Sequence, residues 1–209
     1  MADTALKSEE EKREYFDSPE DLKEKVSKLA MLILSAEHFI AFTGAGISTA
    51  AGIPDYRSGA NTVLETGPGC WEKAANIKKA GKEVKSKDYL RTSIQKAYPT
   101  KCHMALVELM EKGFLKHIIS QNVDGLHRKS GIPADKITEV HGNTNLEECK
   151  KCGTDYMRDF RVRNAQKVKE HKTGRKCDNQ KCGGDLTDTI INFGENLKEE
   201  SLENGYNHG

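Results

Sequence analysis

The sequence predicts an α/β fold: a parallel sheet interrupted by a small zinc-binding module. Three observations on the 209 residues carry this. Short apolar runs alternate with helical patterns, as parallel α/β sheets require. Each run leads into glycine or polar residues. Four of the six cysteines fall in two close pairs, Cys149-x2-Cys152 and Cys177-x4-Cys182.

The elements follow in order. Residues 1–17 read as a charged leader, mobile or helical. "SPEDLKEKVSKLAMLILSA" opens with Ser18 as N-cap and Pro19 at the first helical position. Leu22, Val26, Leu29 and Ile33 then recur at helical spacing, which predicts an amphipathic helix. "HFIAFT" predicts a short buried strand running into a glycine loop. A second helix is expected over Lys101 to Lys112, closed by Gly113. "FLKHIIS", "KITEV" and "DTIINF" complete the expected strands. Their carboxyl ends carry Gly44-Ala45-Gly46, Gln121-Asn122-Val123-Asp124, His141-Gly142-Asn143 and Gly194-Glu195. Ligands of open parallel sheets bind outside these strand ends. Polar βα loops are common in any case, but four on one rim are harder to dismiss.

The cysteine pairs are separated by residues 153–176, and a glycine follows each pair. Two such knuckles supply the four thiolates that tetrahedral zinc takes, and a four-cysteine set leaves no position for water, so the site is structural. Disulfides or free thiols are the alternatives, and disulfides are disfavoured because nothing marks secretion. Cys70 and Cys102 have no partner pattern. His171 is a candidate replacement ligand, with a surface histidine as the simpler reading.

Net charge is +1, with 31% charged and 36% hydrophobic residues. The balance gives no global pull toward nucleic acid or anionic membrane. No apolar run approaches the roughly 18 residues of a membrane span, and the acidic start is not a signal peptide, so an intracellular soluble protein is expected. Lysine-rich stretches at 78–87 and 167–176 offer contact with chromatin or RNA, or simply a solvated face.

The loop "GAGISTAAGIPDYRSG" has glycines for close backbone approach to a phosphate. It lacks the third glycine of the ordinary dinucleotide fingerprint and the acidic residue about 20 positions on. Taken with "SQNVDGLHRKSG", "VHGN" and the two cysteine pairs, in that order, it closely resembles the sirtuin family of NAD-dependent protein deacylases. The resemblance covers about Ile40 to Glu195. "PDYR", "HKTGRKC" and "DTIINFGE" are most similar to the class IV nuclear and nucleolar branch.

The resemblance implies a Rossmann-like sheet and two cofactors, NAD and one structural zinc ion held by Cys149, Cys152, Cys177 and Cys182. Gly44, Ala45, Gly46, Ile47 and Ser48 would line the pyrophosphate and ribose site. Asp55, Tyr56 and Arg57 would belong to a loop that orders over NAD. Gln121, Asn122 and Asp124 would line the nicotinamide and ribose pocket, and His141 would be the general base, a role suited to an imidazole at neutral pH. His103 and His127 are expected to serve packing or local hydrogen bonds. The implied reaction transfers the acyl group of an acyl-lysine protein, a histone or another nuclear protein, to ADP-ribose with release of nicotinamide. Location would be nuclear.

The expected organisation is a leader (1–17), a Rossmann-like front half (18–144), the zinc module (145–188), and a return to the sheet with a polar tail (189–209). Family members continue beyond "INFGE" with further strands that hold the adenosine half of NAD. By that comparison the sheet is incomplete at the C-terminus. The alternative function is therefore a truncated, catalytically weak zinc- and protein-binding fragment.

Overall fold

The computed structural model describes residues 8, 10–80, 94–164 and 169–208. The lysine-rich residues 81–87 and 167–168, and residues 1–7 of the leader, lie outside that set. The chain divides into two compact units, Met1–Phe39 with Ala45–Lys116 and Ile40–Gly44 with His117–Gly209.

In the first unit, helix α1 spans Pro19–Ser35. The Ser18 side chain accepts from the Asp21 N–H, which satisfies one donor of the first turn. The expected apolar stripe does not become a buried face. Leu22, Val26 and Leu29 are each more than half exposed, and no residue of α1 is buried. Strand β1 (Phe39–Thr43), which from Ile40 on belongs to the second unit, is only partly covered, with Phe42 66% exposed, against the expectation of a buried strand. A 3-10 segment, Ala45–Ala51, continues directly from it.

Helix α2 is Cys70–Lys79 and α3 is Lys101–Glu111. Thr100 and His103 form a reciprocal cap at the start of α3, and Gly113 takes φ +76 just beyond its end. Part of the leader packs in this unit. Lys12 Nζ lies 3.1 Å from the buried Glu72 carboxylate, and Glu14 accepts from Thr62 Oγ1 and the Val63 N–H. Lys12, Glu14, Gly59 and Glu72 line a cavity of about 580 Å³.

The second unit holds two sheets. Strands β2 (Leu115–Ser120) and β3 (Ile137–Glu139) pair in parallel, with Ser120 opposite Glu139, in the order β1-β2-β3. Between β2 and β3 stands the short helix α4, Leu126–Ser130. Ile118, Leu126, Ile132 and Ile137 are among the buried apolar residues of this unit. The second sheet is antiparallel, in the order β5-β4-β7-β6, from β4 (Leu146–Cys149), β5 (Asp155–Met157), β6 (Lys172–Lys176) and β7 (Asp185–Asp188). Helix α5, Glu199–His208, packs against β3.

"DTIINF" is not a strand: Asp188 ends β7, and 189–193 are irregular. Gly194-Glu195 is therefore not the end of a sheet strand. Side chains capture the backbone donors here, since Ile190 N–H goes to Asp188 Oδ1 and Asn192 N–H to Glu195 Oε2.

The antiparallel sheet is held by an ionic core. Glu147 is fully buried and receives Arg158 Nε at 2.8 Å and Arg175 Nε at 2.8 Å. Burial opposes its ionisation, but the two guanidiniums outweigh burial and hold its carboxyl below the usual range. Its stabilisation is thus present above the ordinary glutamate pKa and lost as pH falls through the lowered value. Glu147→Gln should cost about 3 kcal/mol at pH 7, the low end for a broken buried pair because both arginines retain some water. Urea unfolding of the two chains measures this.

Candidate functional site

In the second unit the carboxyl ends of β1, β2 and β3 bring Gly44, Gln121, Asn122, Asp124 and His141 together. Asn122 Nδ2 donates to the Gly44 carbonyl at 2.9 Å, and the Gln121 N–H donates to the Thr43 carbonyl at 3.0 Å. Asp124 is buried and accepts the Leu126 N–H at 2.9 Å, capping α4 from its side chain. Gly125 supplies the left-handed residue between them at φ +74. His127 behaves as expected, buried and within 2.9 Å of Thr43 Oγ1.

His141 is partly exposed, and its Nδ1 lies 2.9 Å from the Gln121 carbonyl oxygen. A carbonyl can only accept, so Nδ1 carries the proton and the neutral ring keeps its lone pair on Nε2. The turn that carries it is tightly built. The Gly142 N–H closes on the Glu139 carbonyl at 2.9 Å, and fully buried Asn143 takes its own N–H to Thr189 Oγ1.

The first unit carries the other residues expected to meet a dinucleotide. Ala45, Gly46, Ile47 and Ser48 lie in the 3-10 segment, with Ser48 buried and the Ile47 carbonyl accepting from Thr100 Oγ1 at 3.0 Å. A methyl group added at Gly46 would meet nothing within 4 Å, so backbone there is open to a ligand. Asp55, Tyr56 and Arg57 form a turn closed by Ser58 donating its N–H and Oγ to the Asp55 carboxylate. This turn sits on the start of α2. Cys70 N–H bonds the Asp55 carbonyl, Trp71 N–H bonds the Tyr56 carbonyl, and the Arg57 guanidinium lies 5.0 Å from the Trp71 ring centroid. Gly69 permits this approach, since a Cβ there would stand 2.3 Å from the Tyr56 carbonyl carbon. The open glycine backbone of this unit suits a phosphate-bearing ligand, and the strand ends of the second unit carry amide, carboxylate and imidazole groups.

The four cysteines converge. Their sulfurs all lie within 4.8 Å of one another, with Cys149–Cys182 at 3.6 Å and Cys152–Cys177 at 3.8 Å. None is in a disulfide, whose sulfurs would stand about 2 Å apart. Four sulfurs at the corners of a tetrahedron, each about 2.3 Å from a central zinc, are about 3.8 Å apart, so the spacing fits a metal. Gly153 (φ +70) and Gly183 (φ +62) turn the two knuckles. At Gly184 a Cβ would come within 2.7 Å of Cys149 Sγ. Hydrogen bonds from the Thr154 hydroxyl and N–H bring the Cys152 thiol down to about 6, toward the thiolate a metal needs. The Gly184 N–H lowers Cys182, but burial and the three neighbouring sulfurs push it up to about 11, a crowding that a bound dication relieves.

His171 is not among these ligands. It is partly buried, with Nδ1 3.1 Å from Asp188 and Nε2 2.9 Å from Glu195. Burial lowers its pKa, but the two carboxylates outweigh this and raise it. Two residues near the sites were not anticipated. Tyr156 places its hydroxyl 3.1 Å from Cys177 Sγ, and Glu139 holds Asn143. An aromatic four positions after Cys152 and a carboxylate closing a strand two positions before His141 were the available signals.

Comparison with known proteins shows which family the chain is similar to. The chain is 40% identical over 196 residues to "NAD-dependent protein deacetylase SRT1" of Arabidopsis thaliana, covering 93% of this chain and 37% of that one. It is 41% identical to "NAD-dependent protein deacetylase sirtuin-7" of Homo sapiens, covering 87% and 41%. The chain thus spans about two fifths of the length of these relatives. A solved Sir2 homolog–NAD complex superposes with a TM-score of 0.57 at 26% identity, covering 95% of this chain and 72% of that one. A Sir2 structure bound to a propionylated peptide gives 0.51 at 26% identity, covering 86% and 68%. The Sir2 family model matches residues 44–208, and the chain belongs to the Sir2 family.

Proposed function

We propose that the chain is the NAD- and acyl-lysine-handling part of an NAD-dependent protein deacetylase. It would transfer the acyl group of a lysine side chain to ADP-ribose and release nicotinamide. The observation that carries this is the state of His141. Its Nδ1 proton is committed to the Gln121 carbonyl, so Nε2 is the basic atom of a partly exposed imidazole on the strand-end rim. That is the requirement for a general base at neutral pH.

NAD supplies the ribose carbon at which nicotinamide is displaced and the hydroxyl that His141 Nε2 would deprotonate. Ala45, Gly46, Ile47 and Ser48, with Gly44, would hold its phosphates and ribose through backbone groups. Asp55, Tyr56 and Arg57 would hold it from the turn docked on α2. Gln121, Asn122 and Asp124 would orient the nicotinamide half, where an unmatched buried amide costs roughly 1–3 kcal/mol. Cys149, Cys152, Cys177 and Cys182 would bind one structural zinc ion. The likeness to sirtuin-7 and the solved complex with a propionylated peptide support an acyl-lysine protein substrate and a nuclear site of action. No described helix is long and apolar enough to cross a membrane.

His141→Ala should lower nicotinamide release from NAD and an acetyl-lysine peptide by about 10²–10⁴-fold, the span of a lost general base. Equal release from the two chains would overturn the reading. Release from neither would favour a zinc- and protein-binding role, which the exposed apolar residues of α1 would also suit.

A further inference from the structure

One buried carboxylate lies beside the strand-end rim without belonging to the residues assigned to NAD. Glu139 is the last residue of β3, and its side chain is only 10% exposed. It closes the following turn twice. Its carbonyl accepts the Gly142 N–H at 2.9 Å, and its Oε1 accepts Asn143 Nδ2 at 2.6 Å. His141 lies within the turn that both contacts close. The other oxygen, Oε2, faces Arg128 Nη1 of α4 at 3.7 Å, and α4 is the helix capped by Asp124. A single carboxylate thus joins β3, the turn of His141 and the helix that follows Asp124.

We propose that Glu139 is the positioning residue for His141: held by Asn143 and Arg128, its carboxylate staples the turn on which the imidazole stands and ties that turn to α4. The catalytic consequence rests on the deacetylase reading above; the structural one does not. Burying a carboxylate with one short hydrogen bond and one long ion pair is costly. A carboxylate kept at such a position serves something other than stability, and the turn it spans carries the basic histidine.

The electrostatics add a pH dependence. Burial pushes the Glu139 carboxyl up to about 7, the Asn143 hydrogen bond and Arg128 pull it down, and Asp124 and Asp155 push it further up. Helix α5 also packs on β3, and its His208 stacks on the ring of His117 in β2 at 4.0 Å. A protonated Glu139 still accepts from Asn143 through its carbonyl oxygen, but it no longer attracts Arg128. The turn therefore stays stapled on both sides of neutrality, while its tie to α4 strengthens as the carboxyl ionises.

Glu139→Gln and Glu139→Ala test this. The carboxyl titrates above its unfolded value, so ionising it in the fold is penalised. That penalty is absent below about 4.5 and grows as pH rises to about 7. Glu139→Gln should therefore raise the unfolding midpoint relative to the parent chain at pH 8 and much less at pH 5. In the same variant, nicotinamide release at pH 8 should fall about tenfold with KM for NAD within about twofold, and its acid limb should lose one ionisation. Glu139→Ala should lose about a hundredfold in rate and, in hydrogen exchange, lose protection at the Gly142 and Asn143 amides.

A midpoint difference equal at both pH values, or a Glu139→Gln pH–rate profile unchanged from the parent, overturns the proposal. If the parent chain releases no nicotinamide, the deacetylase reading has failed instead. The staple is then judged on the midpoints and the exchange: unchanged protection in Glu139→Ala refutes it, and lost protection upholds it.

Discussion

Cys177→Ser is expected to yield a chain that retains little zinc and whose antiparallel module is no longer folded. Apart from the Glu147 ion pairs, little else holds that module together. Its apolar centre is Cys149, Cys177 and Leu186, with Tyr156 and Cys182 packed against them, so three of the five residues at the centre are themselves cysteines of the cluster. The sheet's strands are three to five residues long. Strands this short do not supply enough apolar area for independent stability. Metal binding to such sites contributes on the order of 10–16 kcal/mol in small zinc peptides at neutral pH, far beyond what this core could replace. Cys177 is nearly fully buried, whereas Cys152 is exposed, so serine at 177 is also the harder change for solvent to repair. Metal analysis by mass spectrometry on the purified chains, together with far-ultraviolet circular dichroism, reads the result. Zinc near one ion per chain in both proteins would refute the four-cysteine site.

Much of this arrangement was legible in the sequence wherever the signal is local. Ser18-Pro19 fixes the start of α1, the Gly113 position ends α3, and two close cysteine pairs with trailing glycines give the four-cysteine cluster. The rim residues Gln121, Asn122, Asp124 and His141 were also readable, because each follows an apolar run that does become a strand. What failed is non-local. Helical spacing of Leu22, Val26 and Leu29 records which residues share a face, not whether another element covers it, and here they stay exposed. The apolar "TIIN" run looks like a strand, yet the Ile190 N–H goes to the Asp188 side chain and the Asn192 N–H to that of Glu195, so it forms no ladder. Nothing local marks Glu147 as buried, because its partners Arg158 and Arg175 lie 11 and 28 residues away. Glu139 had a local signal in its place two positions before His141, but its partner Arg128 comes from a different element and was not readable.

Gly142→Ala is expected to damage stability and catalysis together, because the residue after His141 combines two constraints that usually occur apart. Its φ is +78, a conformation that costs an L-residue with a side chain about 1–2 kcal/mol. A Cβ on it would also stand 2.0 Å from the Thr189 carbonyl oxygen and 2.5 Å from that carbonyl carbon. The neighbour cannot swing aside, since it is backbone tied to the same turn. Thr189 Oγ1 receives the Asn143 N–H at 3.1 Å and the Ile191 N–H donates to the His141 carbonyl at 3.0 Å. Relieving the overlap must therefore part the 189–191 segment from the turn and move His141 with it. Overpacking of this kind adds about 1–3 kcal/mol, for a total of about 2–5 kcal/mol in urea unfolding. A shift of His141 by an ångström would cost about a hundredfold in nicotinamide release. Gly131→Ala separates the two terms. It has φ +111 with nothing within 4 Å of its Cβ position, so it should show the backbone cost alone and leave the rate nearly intact. A Gly142→Ala chain no less stable than Gly131→Ala would mean that the 189–191 segment yields freely, and that the turn holding His141 is not the rigid support its hydrogen bonds describe.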